Sequence, residues 1–227
     1  MKHLKIVGLL AILLFAFSHL NAQNLYLNIQ GGTNLSTINP LSTQKRIGIY
    51  VGSSVEYRVT SRFRASVGVF YSEKGSKNEI TFYDSLTNSY IDYSYQDFKM
   101  DYLEIPVLLK YCINKQRFKL IPMLGIVQSF IVKATYQAPE QNQQGEIIEE
   151  VSNLLQEEVA LFGWKNQAKK YEIAWTMGAR FQYNFFRKLD TFLEFRFTKG
   201  LNGVIVDQLK HQYFTLDLGL ALPFVKK

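Results

Sequence analysis

The histidine, cysteine and serine side chains of this chain are the first to consider for catalysis. Two of the three histidines lie within residues 1–19, which leaves His211 near the end of the chain, with Asp207 as the nearest acid. A histidine joined by a serine and an acid can form the nucleophilic centre of an acyltransferase or a lipase. No Gly-x-Ser-x-Gly turn is present to hold such a serine. Because a lone histidine in a loop is more simply a surface residue, we predict no catalytic residues and no enzyme.

The sequence contains no motif for binding a metal or a cofactor. Cys112 is the only cysteine, so it cannot form an internal disulfide, and a thiolate metal site needs further ligands nearby. No glycine-rich phosphate loop appears either. We therefore predict neither a metal nor a cofactor.

Charged residues recur at mid-strand positions in segments of alternating polarity, and these are the remaining candidates for chemistry. They could line a conduit for solutes, or they could pair with one another in a closed core, which buried charges must do. An eight-stranded barrel has an interior just wide enough to be filled by side chains, which favours the packed core. The charged set is Glu56, Arg58, Arg64, Glu104, Lys110, Glu172, Arg180, Glu194, Arg196 and Asp217.

A sequence period of two indicates the elements that position these charges. From Tyr171 to Phe185, Ile173 and every second residue after it are apolar or aromatic, while the residues between them are mostly polar or small. A helix would scatter both sets around its circumference, so this segment is a strand. Seven more segments alternate in the same way: 24–31, 47–59, 63–73, 101–111, 117–133, 190–199 and 213–224. The segment 117–133 is apolar on both faces, so its register stays open.

The connections between the eight segments alternate in length. Short turns at 60–62, 112–116 and 186–189 separate longer links at 32–46, 74–100, 134–170 and 200–212. In outer-membrane barrels, short turns face the periplasm and long loops face the outside. We therefore predict an all-β fold, an eight-stranded antiparallel transmembrane β-barrel with long extracellular loops, located in the cell outer membrane. A soluble lipocalin-like carrier remains the alternative, because alternation alone does not tell inside from outside.

The beginning of the chain has the pattern of a secretory signal. Lys2 and Lys5 precede an apolar run from Ile6 to Phe17, which is followed by a short polar stretch and Ala22. The run is too short to span a bilayer as a helix, although a retained anchor is the alternative. We predict a signal peptide over 1–22 and a β-barrel domain over 23–227. The net charge of +7 could suggest binding to nucleic acid, but export from the cell excludes that partner.

One block of the sequence resembles a known family. Tyr102-Leu-Glu-Ile-Pro-Val-Leu-Leu-Lys-Tyr111, followed across a tight turn by Pro122-Met-Leu-Gly125, resembles the PorT-like outer-membrane β-barrel proteins of Bacteroidota. The opening Gly31-Gly32 and the closing Leu222-Pro-Phe224 are similar too. The resemblance implies the fold and the location. It leaves the activity open, because a role in protein secretion does not transfer residue by residue.

Two long links are candidate contact surfaces for a protein partner. The loop 139–162 contains six acids and no base, and its apolar residues recur at helical spacing, which predicts a short amphipathic helix. The segment 82–98 is rich in tyrosine and phenylalanine, which predicts either an aromatic platform or a hairpin with its tip near Leu86–Ser89. The short turns carry Arg62, Arg117 and other bases that could meet lipid phosphates. We therefore predict a small non-enzymatic barrel with a structural or interaction role, associated with secretion or surface assembly, and a lipid-modifying enzyme as the alternative.

Overall fold

The computed structural model describes residues 24–39, 44–84, 89–115, 117–141, 147–153, 159–161, 164–166, 169–186, 189–203 and 209–224. These residues form β-strands and no α-helix. No helix within these ranges is long and apolar enough to cross a membrane. The strands are β1 (Leu25–Asn39), β2 (Gln44–Arg58), β3 (Phe63–Asp84), β4 (Ser89–Tyr111), β5 (Ile113–Lys115), β6 (Phe118–Gln141), β7 (Ile147–Asn153), β8 (Val159–Leu161), β9 (Trp164–Asn166), β10 (Tyr171–Phe186), β11 (Leu189–Gly200) and β12 (Lys210–Pro223).

Eight long strands close into one antiparallel barrel in the described part of the chain. Their order around the wall is β10-β11-β12-β1-β2-β3-β4-β6, and pairing of β6 with β10 completes the circle. The first and last strands of the chain also pair, from Tyr26 with Pro223 to Asn39 with Lys210. Closure leaves no unpaired sheet edge within the wall, as a lipid environment requires. The predicted eight-stranded antiparallel barrel is confirmed.

The barrel is apolar outside and polar inside. On the wall surface, Ile47 is 71% exposed, Leu218 is 66% exposed and Phe181 is 54% exposed. On the inner face, Arg180 and Lys110 are each only 1% exposed. A soluble carrier would reverse these faces, since its apolar residues would point into the barrel. The lipocalin-like alternative is therefore wrong, and the apolar surface is the one that contacts lipid.

Strand β6 takes the register that its sequence left open. As far as Ser129 its odd-numbered residues point inward, so Ile121, Met123, Val127 and Ser129 are buried and Leu124 faces lipid. The strand is apolar on both faces because three of these inward residues are themselves hydrophobic. They pack in the interior beside the charged networks of the other strands.

The strands end where expected at the short turns but extend further at the opposite end. Strand β3 was predicted to end at residue 73 and continues to Asp84, and β4 starts at Ser89 instead of residue 101. Polarity no longer alternates above the apolar belt, yet backbone pairing continues from Gly75 with Lys99 to Asp84 with Ser89. The long link 74–100 is thus mainly a hairpin, as one of the two interpretations proposed. Residues 85–88, at its tip, lie outside the described residues.

The helix predicted in the loop 139–162 is wrong for the residues of this loop that the structure describes, which form strands. Strand β6 runs on to Gln141, and Ile147–Asn153 forms β7, which pairs with β6 from Thr135 with Asn153 to Gln141 with Ile147. The spacing of apolar residues only weakly favours a helix. Pairing with the free edge of β6 outweighs it, because a neighbouring strand gives hydrogen-bond partners to the unpaired backbone groups of β6. The β-branched residues of this segment also favour a strand over a helix.

Glycines at inward positions make room for large rings. Tyr50 and Phe70 stack inside the barrel with ring centroids 4.7 Å apart and an interplanar angle of 11°. A Cβ atom at Gly52 would lie 2.6 Å from Cδ1 of Phe70, and one at Gly68 would lie 2.5 Å from Cε2 of the same ring. The inward glycines and the inward aromatics are therefore complementary parts of one packed core.

We expect Gly178→Ala to destabilise the barrel by about 1–3 kcal/mol through overpacking, and Gly178→Asn by at least as much. A Cβ atom at this inward position would overlap the carbonyl oxygen of Phe195. Gly31→Ala is the matched control, because its nearest neighbours would lie at an ordinary 3.7 Å. Urea unfolding of the two variants in detergent micelles measures the difference. Equal losses at both positions would contradict the assigned faces.

Candidate functional site

The buried charges form two networks inside the barrel. The lower network lies toward the short turns and comprises Glu56, Arg64, Lys110, Arg180, Glu194, Arg196 and Asp217. All seven residues are at most 5% exposed. Each comes from a strand on which alternation directs that position inward, so strands far apart in sequence converge on one polar core.

Arg180 and Glu56 are the hubs of the lower network. Arg180 Nε donates to Glu194 Oε2 at 2.6 Å, and its Nη1 lies 3.5 Å from Glu56 Oε2. Glu56 also accepts from Arg64 at 2.7 Å and from Lys110 at 3.0 Å. Each acid of this network thus contacts either several bases or one base that also contacts another acid. Such pairing offsets the cost of burying charges.

Arg196 continues the lower network across the barrel. Its Nε lies 2.9 Å from Glu194 Oε1, close enough for an ion pair although not aligned as a hydrogen bond. Its Nη2 donates to Asp217 Oδ2 at 3.4 Å, and the guanidinium group lies 4.7 Å from the ring centroid of Tyr50. The charges of β2, β10, β11 and β12 are thus linked through shared partners.

The upper network lies toward the long hairpins and is centred on Lys74. Lys74 Nζ lies 2.5 Å from Glu104 Oε1 and 3.6 Å from Glu172 Oε2. The rings of Tyr102 and Tyr213 flank the ammonium group at 4.4 and 4.2 Å, a cation–π arrangement on two sides. Tyr213 also donates its hydroxyl to Glu104 Oε1 at 3.1 Å.

Together the two networks hold five bases and five acids, so their formal charges balance without His211. Balanced, mutually bonded charges form a rigid core more readily than a water-filled pore. A cavity between lower-network side chains, lined among others by Lys110, Arg180 and Glu194, has a volume of about 10 Å³. That volume is about the minimum for a single water molecule. The packed core is therefore confirmed, and the charges do not line a conduit.

His211 is part of the upper network, and its predicted place on a loop surface is wrong. It lies on β12 with no exposed surface, and its Nδ1 is 3.3 Å from Glu172 Oε2 and 3.4 Å from the hydroxyl of Tyr102. None of the hydrogen bonds in the described structure joins it to a serine. Asp207, the acid proposed beside it, lies outside the described residues. Its position could have been recognised because His211 shares the odd-numbered inward face of Tyr213 and Asp217.

Lys74 and Tyr102 were not singled out as interior residues from the sequence. Lys74 continues the even-numbered inward face of β3 after Ser72, and Tyr102 precedes Glu104 on the same face of β4. Alternation does not reveal either residue, because Lys74 falls in the predicted long link 74–100 and Tyr102 is an aromatic residue on a face recognised by its charges. Arg58, predicted among the inward charges, belongs to neither network. It is half-buried at the lower end and donates to the hydroxyl of Tyr26 at 2.8 Å.

Cys112 lies at the lower end of the barrel. Its thiol is buried, donates to Asn114 Oδ1 at 3.1 Å and accepts from Arg64 Nη2 at 3.5 Å. Within the described ranges, no group of three or more histidine, cysteine, aspartate or glutamate residues is arranged to hold a metal ion. Of the basic short turns, Arg62 and Arg117 are exposed.

Comparisons with known proteins agree with this architecture. Residues 21–206 match the family model of the outer membrane protein beta-barrel domain. Neisserial surface protein A has a similar structure, with 15% sequence identity over 88% of this chain and 97% of that chain and a TM-score of 0.50. A major outer membrane protein of Thermus thermophilus is 11% identical over 87% and 98% of the two chains, with a TM-score of 0.48. Ail of Yersinia pestis, solved with the heparin analogue sucrose octasulfate, is 12% identical over 87% and 97%, with a TM-score of 0.43.

No curated protein matches the sequence significantly. At these identities, the structural likeness concerns the fold alone. The family model covers most of the barrel and agrees with the apolar wall, the polar core and the alternation of short turns and long hairpins. This chain belongs to the outer membrane protein beta-barrel domain family and is an integral protein of the outer membrane.

Proposed function

We propose that this chain is a non-enzymatic outer-membrane barrel that holds an extracellular β-sheet for contact with a protein partner at the cell surface. The observation that carries the proposal is the β3–β4 ladder above the barrel wall. Strand β2 ends its pairing with β3 at Gln44 and Lys77, whereas β3 and β4 stay paired up to Asp84 and Ser89. At about 3.3 Å per residue, the seven residues beyond Lys77 extend roughly 23 Å.

The base of this extension is anchored in the barrel. Phe98 and Tyr136 are buried on neighbouring strands, with ring centroids 4.6 Å apart. Pairing of β4 with β6 continues to Asp97 and Gln137. The upper hairpin is thus held by a packed aromatic pair and a third strand, which gives a partner a preformed surface to bind.

Strand β7 supplies a second element for recognition. It pairs with β6, and no other strand in the described part of the chain pairs with it. A free strand edge can accept an extended peptide segment through backbone hydrogen bonds. The surrounding loop 139–162 contains six acids and no base, so the complementary partner has a basic surface.

Residue types support a protein-binding role for the hairpin. The segment 82–98 contains Phe82, Tyr83, Tyr90, Tyr93, Tyr95 and Phe98. Tyrosine and phenylalanine are enriched at protein interfaces, where they supply large contact area at low entropic cost. The resemblance to PorT-like barrels, which the family match leaves open, makes a secretion or surface-assembly complex the first place to look for this partner.

The alternative of a lipid-modifying enzyme gains no support from the position of its histidine. His211 has no exposed surface and is bonded to Glu172 and Tyr102. A catalytic histidine must reach both a nucleophile and the substrate. The buried contacts instead assign His211 a role in holding the upper network together.

Two truncations test the proposed function. The first replaces residues 78–96 by Asn-Gly, because Lys77 and Asp97 are cross-strand partners that a two-residue turn can join. The second replaces residues 139–162 by a short Gly/Ser link. We expect both variants to fold, since surface insertions contribute little to barrel closure, and to run at a heat-modifiable position on a gel.

Partner contact is measured by photo-crosslinking in intact cells. A photoreactive residue at position 90 should give a discrete protein adduct, and one at the lipid-facing position 218 is the control that should give none. Because the truncation removes position 90 itself, the truncated barrels are compared by how much of the crosslinked protein co-purifies with them, and we expect this amount to fall when the hairpin is removed. A doubly truncated barrel that folds and co-purifies with as much of that protein as the full-length barrel would refute the proposal.

A further inference from the structure

A cluster of lysines lies on the outer rim of the barrel, at the end from which the long hairpins rise. Lys45 and Lys199 are exposed and Lys210 is partly exposed, on β2, β11 and β12 respectively. Each lysine continues the outward face of its own strand. Lys45 lies two residues before the outward-facing Ile47, and Lys199 lies two residues after Phe197. These side chains therefore point away from the barrel axis at the level where the apolar belt ends.

Strand register brings the three lysines together. Lys199 pairs with Gln212, and Gln212 pairs with Thr37 on β1, which lies next to β2. Lys45 and Lys199 are thus three strands apart, about 14 Å at the usual strand spacing, with Lys210 between them and one step higher. Three cations within this span form a strong local positive field outside the barrel.

A row of aromatic rings marks the depth of this cluster. The ring centroids of Trp175 and Phe197 are 5.5 Å apart, and those of Phe197 and Phe214 are 5.0 Å apart. Lys45 Nζ lies 6.0 Å from the ring centroid of Phe214. Aromatic girdles lie at the membrane–water interface, so the lysines beside this row are at the level of the lipid headgroups. The long hairpins rise from the same end, which identifies this interface as the outer leaflet.

An apolar groove continues downward from the row on the lipid-facing wall. Its volume is about 850 Å³. The small side chain of Ala179 keeps its floor low, and its sides include Leu35, Leu124 and Phe195. A groove of this kind in the wall fits an acyl chain, because both are apolar and the groove opens directly into the bilayer.

The opposite side of the rim has a different charge pattern. There, on β3, β4 and β6, Lys99 lies 3.6 Å from Glu73, and Lys133 is the cross-strand partner of Asp101. Among the residues described between β10 and β2, no acid faces outward at the level of Lys45, Lys199 and Lys210. The positive field is therefore confined to one side of the barrel.

We propose that this side of the rim binds a phosphorylated lipid of the outer leaflet. Lys45, Lys199 and Lys210 would hold its phosphate groups, the aromatic row would contact the headgroup boundary, and the groove would hold an acyl chain. Phosphate matches the lysine cluster in charge, and covalent attachment of phosphate to acyl chains matches the vertical order of lysines, rings and groove. The surface is separate from the extracellular sheet, so it can fail or succeed independently of the proposed partner contact.

The test uses Trp175 as a reporter in the row. A Trp164→Phe variant removes the only other tryptophan, and the full chain is refolded into vesicles of brominated phosphatidylcholine, which quenches Trp175. Unbrominated diphosphorylated lipid A should displace the quencher at least about fivefold more effectively than dephosphorylated lipid A, since a single lysine near anionic headgroups contributes roughly fivefold. This preference should weaken in high salt.

Matched variants locate the effect. Changing Lys45, Lys199 and Lys210 together to Gln should abolish the preference for the phosphorylated lipid, and changing all three to Arg should keep it. Lys99→Gln with Lys133→Gln, on the mixed-charge side, should leave it intact. Equal displacement by the two lipids in the unmodified barrel, an unchanged preference in the triple Gln variant, or an equal loss in the control would each overturn the proposal.

Discussion

Replacing Arg180 by alanine should lower the free energy of unfolding by about 3–5 kcal/mol, the usual cost of leaving a buried charge without its partner. Arg180 is 1% exposed and contacts two acids, Glu194 and Glu56, which are equally buried. Its guanidinium group also lies 3.7 Å from the ring centroid of Phe192. Reversible urea unfolding in lipid vesicles or micelles measures the loss.

A double-mutant cycle shows whether this loss belongs to a network. Arg180→Ala and Glu194→Ala, separately and together, should give a coupling energy of about 0.5–3 kcal/mol, because the two side chains are in direct contact. Arg62→Ala, in an exposed turn, is the control and should change stability by no more than about 0.5 kcal/mol. A loss below about 1 kcal/mol for Arg180→Ala would indicate a hydrated interior rather than a closed one.

The facing of most barrel residues could be predicted from alternation alone. Because successive side chains on a strand point to opposite faces, one clear segment such as Tyr171–Phe185 assigns every second residue to lipid and the others to the core. Arg180, Glu172 and Gln182 are buried as this rule requires. The same rule places Asp217 inside and Leu218 outside on β12.

The partners of the charges could be predicted only in part. Arg180 and Glu194 are cross-strand neighbours in the β10–β11 hairpin, and the tight turn between these strands determines their register. The contact of Arg180 with Glu56 is different, because it crosses the interior from β10 to β2. It depends on the stagger of all the strands around the barrel, which no single hairpin reveals.

The outer ends of the strands were the least predictable part of the fold. Hydrophobic alternation reports contact with lipid, so it stops at the top of the apolar belt even though β3 and β4 continue as a paired ladder. Lys74 and His211 were consequently assigned to loops, although both are buried. In the loop 139–162, residues 147–153 form a strand because they pair with the edge of β6. This edge exists only once the barrel has formed, so the local sequence does not reveal it.

The lipid-facing wall leads to the second large effect: Leu218→Arg should cost about 2–4 kcal/mol, the cost of a cation near the bilayer midplane. Leu218 is 66% exposed and lies near the middle of β12, with Gly31 and Leu193 as its cross-strand partners. An arginine there has neither water nor a carboxylate within easy reach. Unfolding in lipid vesicles, rather than in detergent, provides the measurement because it keeps the thickness of the bilayer.

Trp175→Arg is the matched comparison for depth. Both residues face lipid, but Trp175 belongs to the aromatic row beside Lys199, where an arginine can reach the headgroups, so its cost should be only about 0–1 kcal/mol. The difference between the two variants therefore measures depth, independently of burial in the barrel interior. Equal costs at positions 175 and 218 would mean that the row lies inside the hydrocarbon region. The lysine cluster would then be too deep to meet headgroup phosphates, and the rim assignment would fail with it.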